Sequence, residues 1–308
     1  LLEQLLFLQD GRVDQLNRTL GILSVLTAAS LYGFVNTIVK LAYADGFTFA
    51  ELTISQYVYG TLGLLVLIVA TRSFGKISFR DYAKLLAVGG IGLGGTSLAL
   101  YTSLAHVPTS VSLVMLFQFT WIGLLIEKFV FKRKIRRNEW LAVVIVLAGT
   151  LLVLQITSVD SGVINAPGVL YGFLAAIFYS VFLIGASVLP QTIPQFYKNG
   201  LMVSGTLVLL LIGFSVTTPM SGINPFGSVL KWGLMLGILA QLLPPVLFTY
   251  GAPKIGGTLT SILSSVELPV GIIASNLILG EKVVLVQWIG MLLILAGIVV
   301  SQMRQREG

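Results

Sequence analysis

Few side chains in this 308-residue sequence can do chemistry, and long apolar stretches separate most of them. Glu267 is the sharpest case. It stands in Ser264-Ser265-Val266-Glu267-Leu268-Pro269, near the middle of an apolar run from 257 to 279. An ionised carboxylate facing hydrocarbon costs on the order of several kcal/mol or more. Glu267 must therefore face a cavity, pair with another group, or carry a proton. Two readings follow. It is a coupling or cation-contacting site, or it is a structural acid hydrogen-bonded to backbone beside Pro269, whose ring removes one helical hydrogen bond.

Asn36, Gln56, Gln118 and Gln241 are polar residues inside apolar runs. Each either bridges helices or faces a cavity. Gln118 and Trp121, three apart, share one helix face and hence one environment. Tyr32, Tyr101, Trp121 and Tyr179 are candidates for an aromatic lining that stacks on flat or amphipathic substrates and attracts cations. Membrane interfaces collect the same residues. Lys40 closes the first apolar run, where it snorkels to the interface or pairs with an acid, be it a side chain or a substrate carboxylate. The candidate substrate-binding set is thus Tyr32, Asn36, Tyr101, Gln118, Trp121, Tyr179, Gln241 and Glu267, with Glu267 also the candidate coupling residue.

Other chemistries are poorly provided for. No cysteine is present, which removes disulfides and thiolate metal sites, and the single histidine, His106, argues against a histidine-built metal centre. Gly90, Gly92 and Gly95 spell G-x-G-x-x-G, but inside an apolar helix, with no strand before them. Close helix packing explains them better, and nucleotide binding is rejected. No Walker motif is seen, and the scattered acids do not cluster as an enzyme acting on lipid-linked substrates would need. No cofactor is expected.

The elements that position these residues are set by the solvent. The apolar fraction is 56% and only 10% of residues are charged, against about a quarter charged in soluble domains. Mean hydropathy is +0.96. A water-soluble fold could not cover so much apolar surface, so lipid is the expected surrounding. A spanning helix needs about 20 apolar residues. Ten segments qualify: 19–41, 51–71, 82–104, 109–131, 139–157, 167–188, 197–217, 229–250, 257–279 and 284–303. Short breaks such as Asp45-Gly46, Lys132 to Arg137 and Gly280-Glu281-Lys282 separate them. Residues 1–18 mix leucines with charges, without the order of a secretory signal. They read as an extramembrane lead-in, with an interfacial amphipathic helix as the alternative.

The net charge of +7 would suggest nucleic acid in a soluble protein. Here its distribution matters more, and no nucleic acid partner is expected. With ten spans, only Lys40, Lys231 and Lys282 of the 19 lysines and arginines fall on the face opposite the termini. The positive-inside rule then places both termini in the cytoplasm of a multi-pass plasma-membrane protein. The run Lys132-Arg133-Lys134 with Arg136-Arg137 anchors this topology, or holds anionic lipid headgroups as well.

The chain matches itself at an offset of 148. Leu147-Ala148-Gly149 falls on Leu295-Ala296-Gly297, Trp140 on Trp288, and Lys134-Ile135 on Lys282-Val283. Two five-helix units follow, residues 19–157 and 158–308 after the 1–18 lead-in. Five is odd, so the second unit enters the membrane from the opposite side. The fold class is an all-α integral membrane protein of ten transmembrane helices in two inverted five-helix repeats, a recurring transporter plan.

Several segments carry a family resemblance: Tyr32-Gly33-Phe34-Val35-Asn36 with Lys40, Leu100-Tyr101-Thr102-Ser103-Leu104-Ala105-His106-Val107-Pro108-Thr109-Ser110, and Leu279-Gly280-Glu281-Lys282. With Ser264 to Pro269 and Leu295-Ala296-Gly297, they resemble the drug/metabolite transporter superfamily in its EamA-type ten-helix branch, over roughly residues 19–303. The resemblance implies alternating access around a central cavity, with amino acids, other metabolites or amphipathic drugs as substrates and export in many members. Departures are Gln56, where many members have arginine, and Phe119 and Trp121 at the first-half positions of Glu267 and Pro269. The expected function is secondary transport of small organic metabolites such as amino acids, with protons as a candidate coupling ion. A transporter of cationic drugs or amphipathic metabolites is the alternative, and a membrane-embedded enzyme the reading from another class.

Overall fold

The computed structural model describes residues 2–104, 106–107, 109–155, 165–217, 226–227 and 229–303, the side chains of 2–13, 101, 110 and 215–217 excepted. Tyr101 therefore contributes backbone alone, and the expected boundary near 157 lies outside the described residues. The described chain is helical, without strands. Lipid offers no partners for backbone amides, so a spanning segment must satisfy them internally, and helices do so.

Ten helical elements follow in order. They are α1 (Leu2–Ala44), α2 (Phe49–Ala70), α3 (Phe79–Leu104), α4 (Thr109–Leu116 with Phe119–Phe129), α5 (Arg137–Val153), α6 (Ala166–Val188), α7 (Gln195–Thr217), α8 (Leu230–Ile255), α9 (Gly257–Ser264 with Glu267–Leu279) and α10 (Leu285–Gln302). Among the described residues nine are long and apolar enough to cross a membrane. The remaining one, α5, has 17 residues. It ends before the expected 157, because Gln155 turns the chain with φ +49°. The starts follow local rules: Thr48 caps α2 and forms a capping box with Glu51, and Asn165 accepts from the Gly168 N–H at the start of α6.

The irregularities repeat along with the helices. α3 contains a π-helical stretch at Ala87–Gly94, and α8 contains one at Gly237–Leu242, within the window that the 148 offset predicts. The helix breaks at Phe117-Gln118 and at Ser265-Val266 are equivalent positions. In α9 Pro269 has no N–H to give to the Ser265 carbonyl, which explains the break. In α4 Gln118 takes the corresponding role. Its N–H turns to the Met115 carbonyl at 3.2 Å, and its side-chain Nε2 satisfies the freed Val114 carbonyl at 2.9 Å.

Contacts between repeats come in reciprocal pairs. α1 packs on α8 and α9, as α6 packs on α3 and α4; α2 packs on α8, as α7 packs on α3. α5 lies against α10, its own counterpart, where Gly149 and Gly290 let the backbones touch. Such exchange is the signature of a two-fold relation. With five helices in each unit, its axis lies in the membrane plane, and the repeats are inverted.

The two faces are distinguishable. Arg18 of α1 donates to Gln302 of α10 at 3.3 Å, so the outer ends of the first and last spans meet on one face, the terminus face. Lys40 is 22 residues further along α1, about 33 Å at 1.5 Å per residue, a bilayer away. Reciprocity fails at the terminus face, where the second half of α8 packs on α6 while α3 lacks comparable packing on α1 among the described residues. The first segment of α9 packs on α6 and on the second segment of α4, at the terminus face. Among the described residues the exchanged pairs, the first segment of α4 against α1 and against the second segment of α9, lack comparable packing. The terminus face is closed and the opposite face is open.

Candidate functional site

The open face leads into a cavity of about 540 Å³ between the repeats. One face of α1 supplies its long wall, with Tyr32, Asn36 and Lys40 spaced a turn apart. The 3.6-residue period stacks these side chains from floor to mouth over about 12 Å. At the mouth Lys40 forms an ion pair with Glu281, its Nζ 2.7 and 3.0 Å from the two carboxylate oxygens. Both side chains are about half exposed. Of the roles open to Lys40 in the sequence, pairing with an acidic side chain is the one realised.

The floor holds Tyr32, Tyr179 and Glu267. Glu267 reaches this depth because α1 and α9 touch: a Cβ on Gly33 would lie 2.6 Å from the Glu267 carbonyl oxygen. Among the described residues no basic side chain pairs with the Glu267 carboxylate. Its polar neighbour is the Tyr179 hydroxyl, which sits beside it without closing a well-formed hydrogen bond. Tyr32 lines the same floor. A buried carboxylate without a cation leaves an electrostatic vacancy that a proton or a substrate cation can fill.

Beneath the floor a row of aromatic rings seals the centre. Tyr32 meets Phe248 at 5.8 Å, Phe248 meets Phe182 at 5.7 Å, and Phe182 stacks on Tyr179 at 6.1 Å. Phe119 meets Tyr179 edge-on at 4.9 Å. Gln241, from the π-helical stretch of α8, presents a buried carbonyl oxygen with no hydrogen-bond partner among the described residues. Thr53, Gln56 and Tyr57 of α2 and Ser97 of α3 add further polar atoms, with Tyr57 and Ser97 hydroxyls 3.3 Å apart. Leu93, Leu113, Leu268 and Ile272 provide apolar wall between them. The arrangement suits a small molecule with an apolar body and a hydrogen-bonding, positively charged end.

Of the sequence candidates, Tyr32, Asn36, Tyr179, Gln241 and Glu267 come together here. Gln118 and Trp121 are not among the lining residues. The Trp121 indole N–H donates to Gln118 Oε1 at 2.7 Å, and its ring packs on Phe173 at 6.2 Å. They share an environment, but it is a helix break. The Tyr101 side chain lies outside the described residues. Thr53, Tyr57 and Ser97 were not singled out from the sequence, because a hydroxyl in an apolar run carries no spacing signal. No group of three or more metal-ligating side chains occurs among the described residues.

Comparison with known proteins agrees with this architecture. The EamA-like transporter family matches residues 19–155 and again 166–303. The chain is similar to an uncharacterized transporter of Synechocystis sp., 22% identical over 300 residues, covering 89% of this chain and 91% of that protein. A solved crystal structure of another protein superposes with a TM-score of 0.75 at 18% identity, covering 91% of this chain and 97% of the other, a likeness of fold.

Proposed function

The chain belongs to the EamA-like transporter family, and we propose that it is a secondary active transporter of small amine-bearing metabolites, amino acids first among them. In this reading it works by alternating access, as an exporter in the plasma membrane with both termini cytoplasmic. Its partners are the small-molecule substrate, membrane lipid and protons, with no nucleic acid.

One observation carries the reading. The blind end of the cavity holds a single carboxylate, Glu267, with no protein cation beside it among the described residues. A substrate ammonium would sit against Glu267, the Gln241 carbonyl and the face of Tyr32 or Tyr179. Its apolar part would lie along Leu93, Leu113 and Ile272, and a substrate carboxylate would find donors in the side-chain amides of Asn36 and Gln56. A proton on Glu267 would compete with the ammonium for the same position, which is the chemistry of exchange. Lys40 stands about 10 Å above Glu267 along the helix axis, too far for one amino acid to bridge both through its own charged groups.

A cationic drug or amphipathic metabolite is the second reading, favoured by the same unpaired carboxylate, because such a molecule needs no carboxylate partner. Flux into reconstituted vesicles, across amino acids and organic cations with and without a pH gradient, separates the two. Saturable movement of an amino acid supports the first reading, and movement of organic cations alone supports the second. A chemically altered product without translocation would indicate an enzyme and refute both.

A further inference from the structure

The terminus face is closed by a feature that has no counterpart in the other repeat. Glu127, at the end of α4, is buried. One of its carboxylate oxygens accepts the backbone N–H of Gly257 at 2.7 Å, and the other accepts the Thr258 hydroxyl at 2.5 Å. Gly257 and Thr258 begin α9, so a carboxylate of the first repeat caps a helix of the second. The aligned peptide dipoles at a helix start favour a negative charge there. Arg133 neutralises the carboxylate at 2.5 Å and reaches on to Glu139 at 2.8 Å. Glu139 is itself fixed by the Arg136 N–H at 2.8 Å. Partial burial disfavours the charge on Arg133, but Glu127 and Glu139 more than offset this and hold its pKa above the ordinary arginine value. Below the cap α4 and α9 touch closely: a Cβ on Gly123 would lie 2.6 Å from the hydroxyl oxygen of Ser261.

The 148 offset identifies the exchanged positions. Glu127 corresponds to Ser275, and Gly257-Thr258 to Thr109-Ser110. Ser275 and Thr109 both line the open cavity, and Ser275 is 3.3 Å from the Thr37 hydroxyl instead. When the opposite face closes, inverted symmetry brings Ser275 towards Thr109. At these exchanged positions that face offers neutral side chains where the terminus face has a carboxylate; its charged pair, Lys40 and Glu281, is half exposed at the mouth. The closure at the terminus face is held by a carboxylate with two donors from the other repeat, and charge-assisted hydrogen bonds are roughly twice as strong as neutral ones.

We infer that Glu127 is the latch of the terminus-face gate, and that this one-sided carboxylate makes the empty transporter rest open to the opposite face. The inference rests on alternating access. Its test reads conformation rather than transport, so it can fail while the transport reading stands, or stand when no tested compound moves.

The chain has no native cysteine, so single reporters are free of background. Ser97→Cys reports on the open cavity. Ser261→Cys, buried at the α4–α9 contact, reports on opening at the terminus face. A membrane-impermeant thiol reagent is applied to each face of oriented vesicles. With Glu127 intact, Ser97→Cys reacts fast from the open face and Ser261→Cys slowly from the terminus face. Glu127→Ser, which makes the two gates alike, is expected to slow the first and speed the second by about fivefold or more. Thr258→Val removes one donor and keeps the shape; it is expected to shift both rates the same way by less, and it decides the matter if Glu127→Ser does not fold. Unchanged rates in the folded variants overturn the inference, and so does a parallel rise of both reporters, which marks loosening without a switch.

Discussion

Phe119 and Glu267 occupy equivalent positions of the two repeats, and both converge on Tyr179. The Phe119 ring meets it edge-on at 4.9 Å, while the Glu267 carboxyl lies beside its hydroxyl. Inverted repeats with identical residues here would give a symmetric floor. The exchange of one phenylalanine for one acid makes the floor apolar on one side and ionisable on the other. Gln241, equivalent to Leu93, adds a second polar-for-apolar exchange to the same cavity.

Tyr179 is the side chain through which the pair is read. Its hydroxyl is buried without a hydrogen-bond partner of good geometry among the described residues. Tyr179→Phe should therefore change stability by less than about 1 kcal/mol, as thermal unfolding in detergent would report. The substrate KM should rise several-fold, because the hydroxyl is the polar neighbour of Glu267. A large loss of stability with KM unchanged would make Tyr179 a packing residue only.

Gln118 should behave in the opposite way. Gln118→Leu strands both the Val114 carbonyl and the Trp121 indole N–H, which it now satisfies at 2.9 and 2.7 Å. Leaving buried polar groups unpaired costs about 1–3 kcal/mol each. The unfolding midpoint should fall by several degrees, while the KM of the residual transport stays within about twofold. A selective rise in KM would return Gln118 to the binding site.

The Lys40–Glu281 pair spans the mouth, yet both partners are about half exposed. Exposed pairs contribute about 0–1 kcal/mol. Lys40→Met and Glu281→Gln should each leave the unfolding midpoint nearly unchanged, and should reduce the dependence of flux on ionic strength, since a charged mouth acts on approach of the substrate. A fall of many degrees on loss of either partner would show that the pair holds the repeats together.

Much of this was legible in the sequence because lipid imposes blunt rules. Span length follows from the thickness of the bilayer, and the 148 offset, a property of the duplicated chain, extends to the π-helical stretches of α3 and α8. Glu267 could be singled out because a carboxylate at that depth needs a reason. Gln118 and Trp121 could not be placed, because a glutamine inside a span satisfies a broken helix or a substrate equally well until the break is seen. Glu127 gives no signal in the sequence for a related cause. An acid at a span end looks like an interfacial residue, and only the packing of α9 on α4 shows that it is buried and caps a helix from the other repeat.

The most direct measurement is counterflow of a radiolabelled amine-bearing substrate into vesicles containing the parent chain or Glu267→Gln, each with and without an imposed pH gradient. The account predicts that the parent chain accumulates label faster with the gradient. In the folded Glu267→Gln protein the gradient has no effect and flux falls by about tenfold or more. Gradient-stimulated flux in Glu267→Gln equal to that of the parent would contradict it.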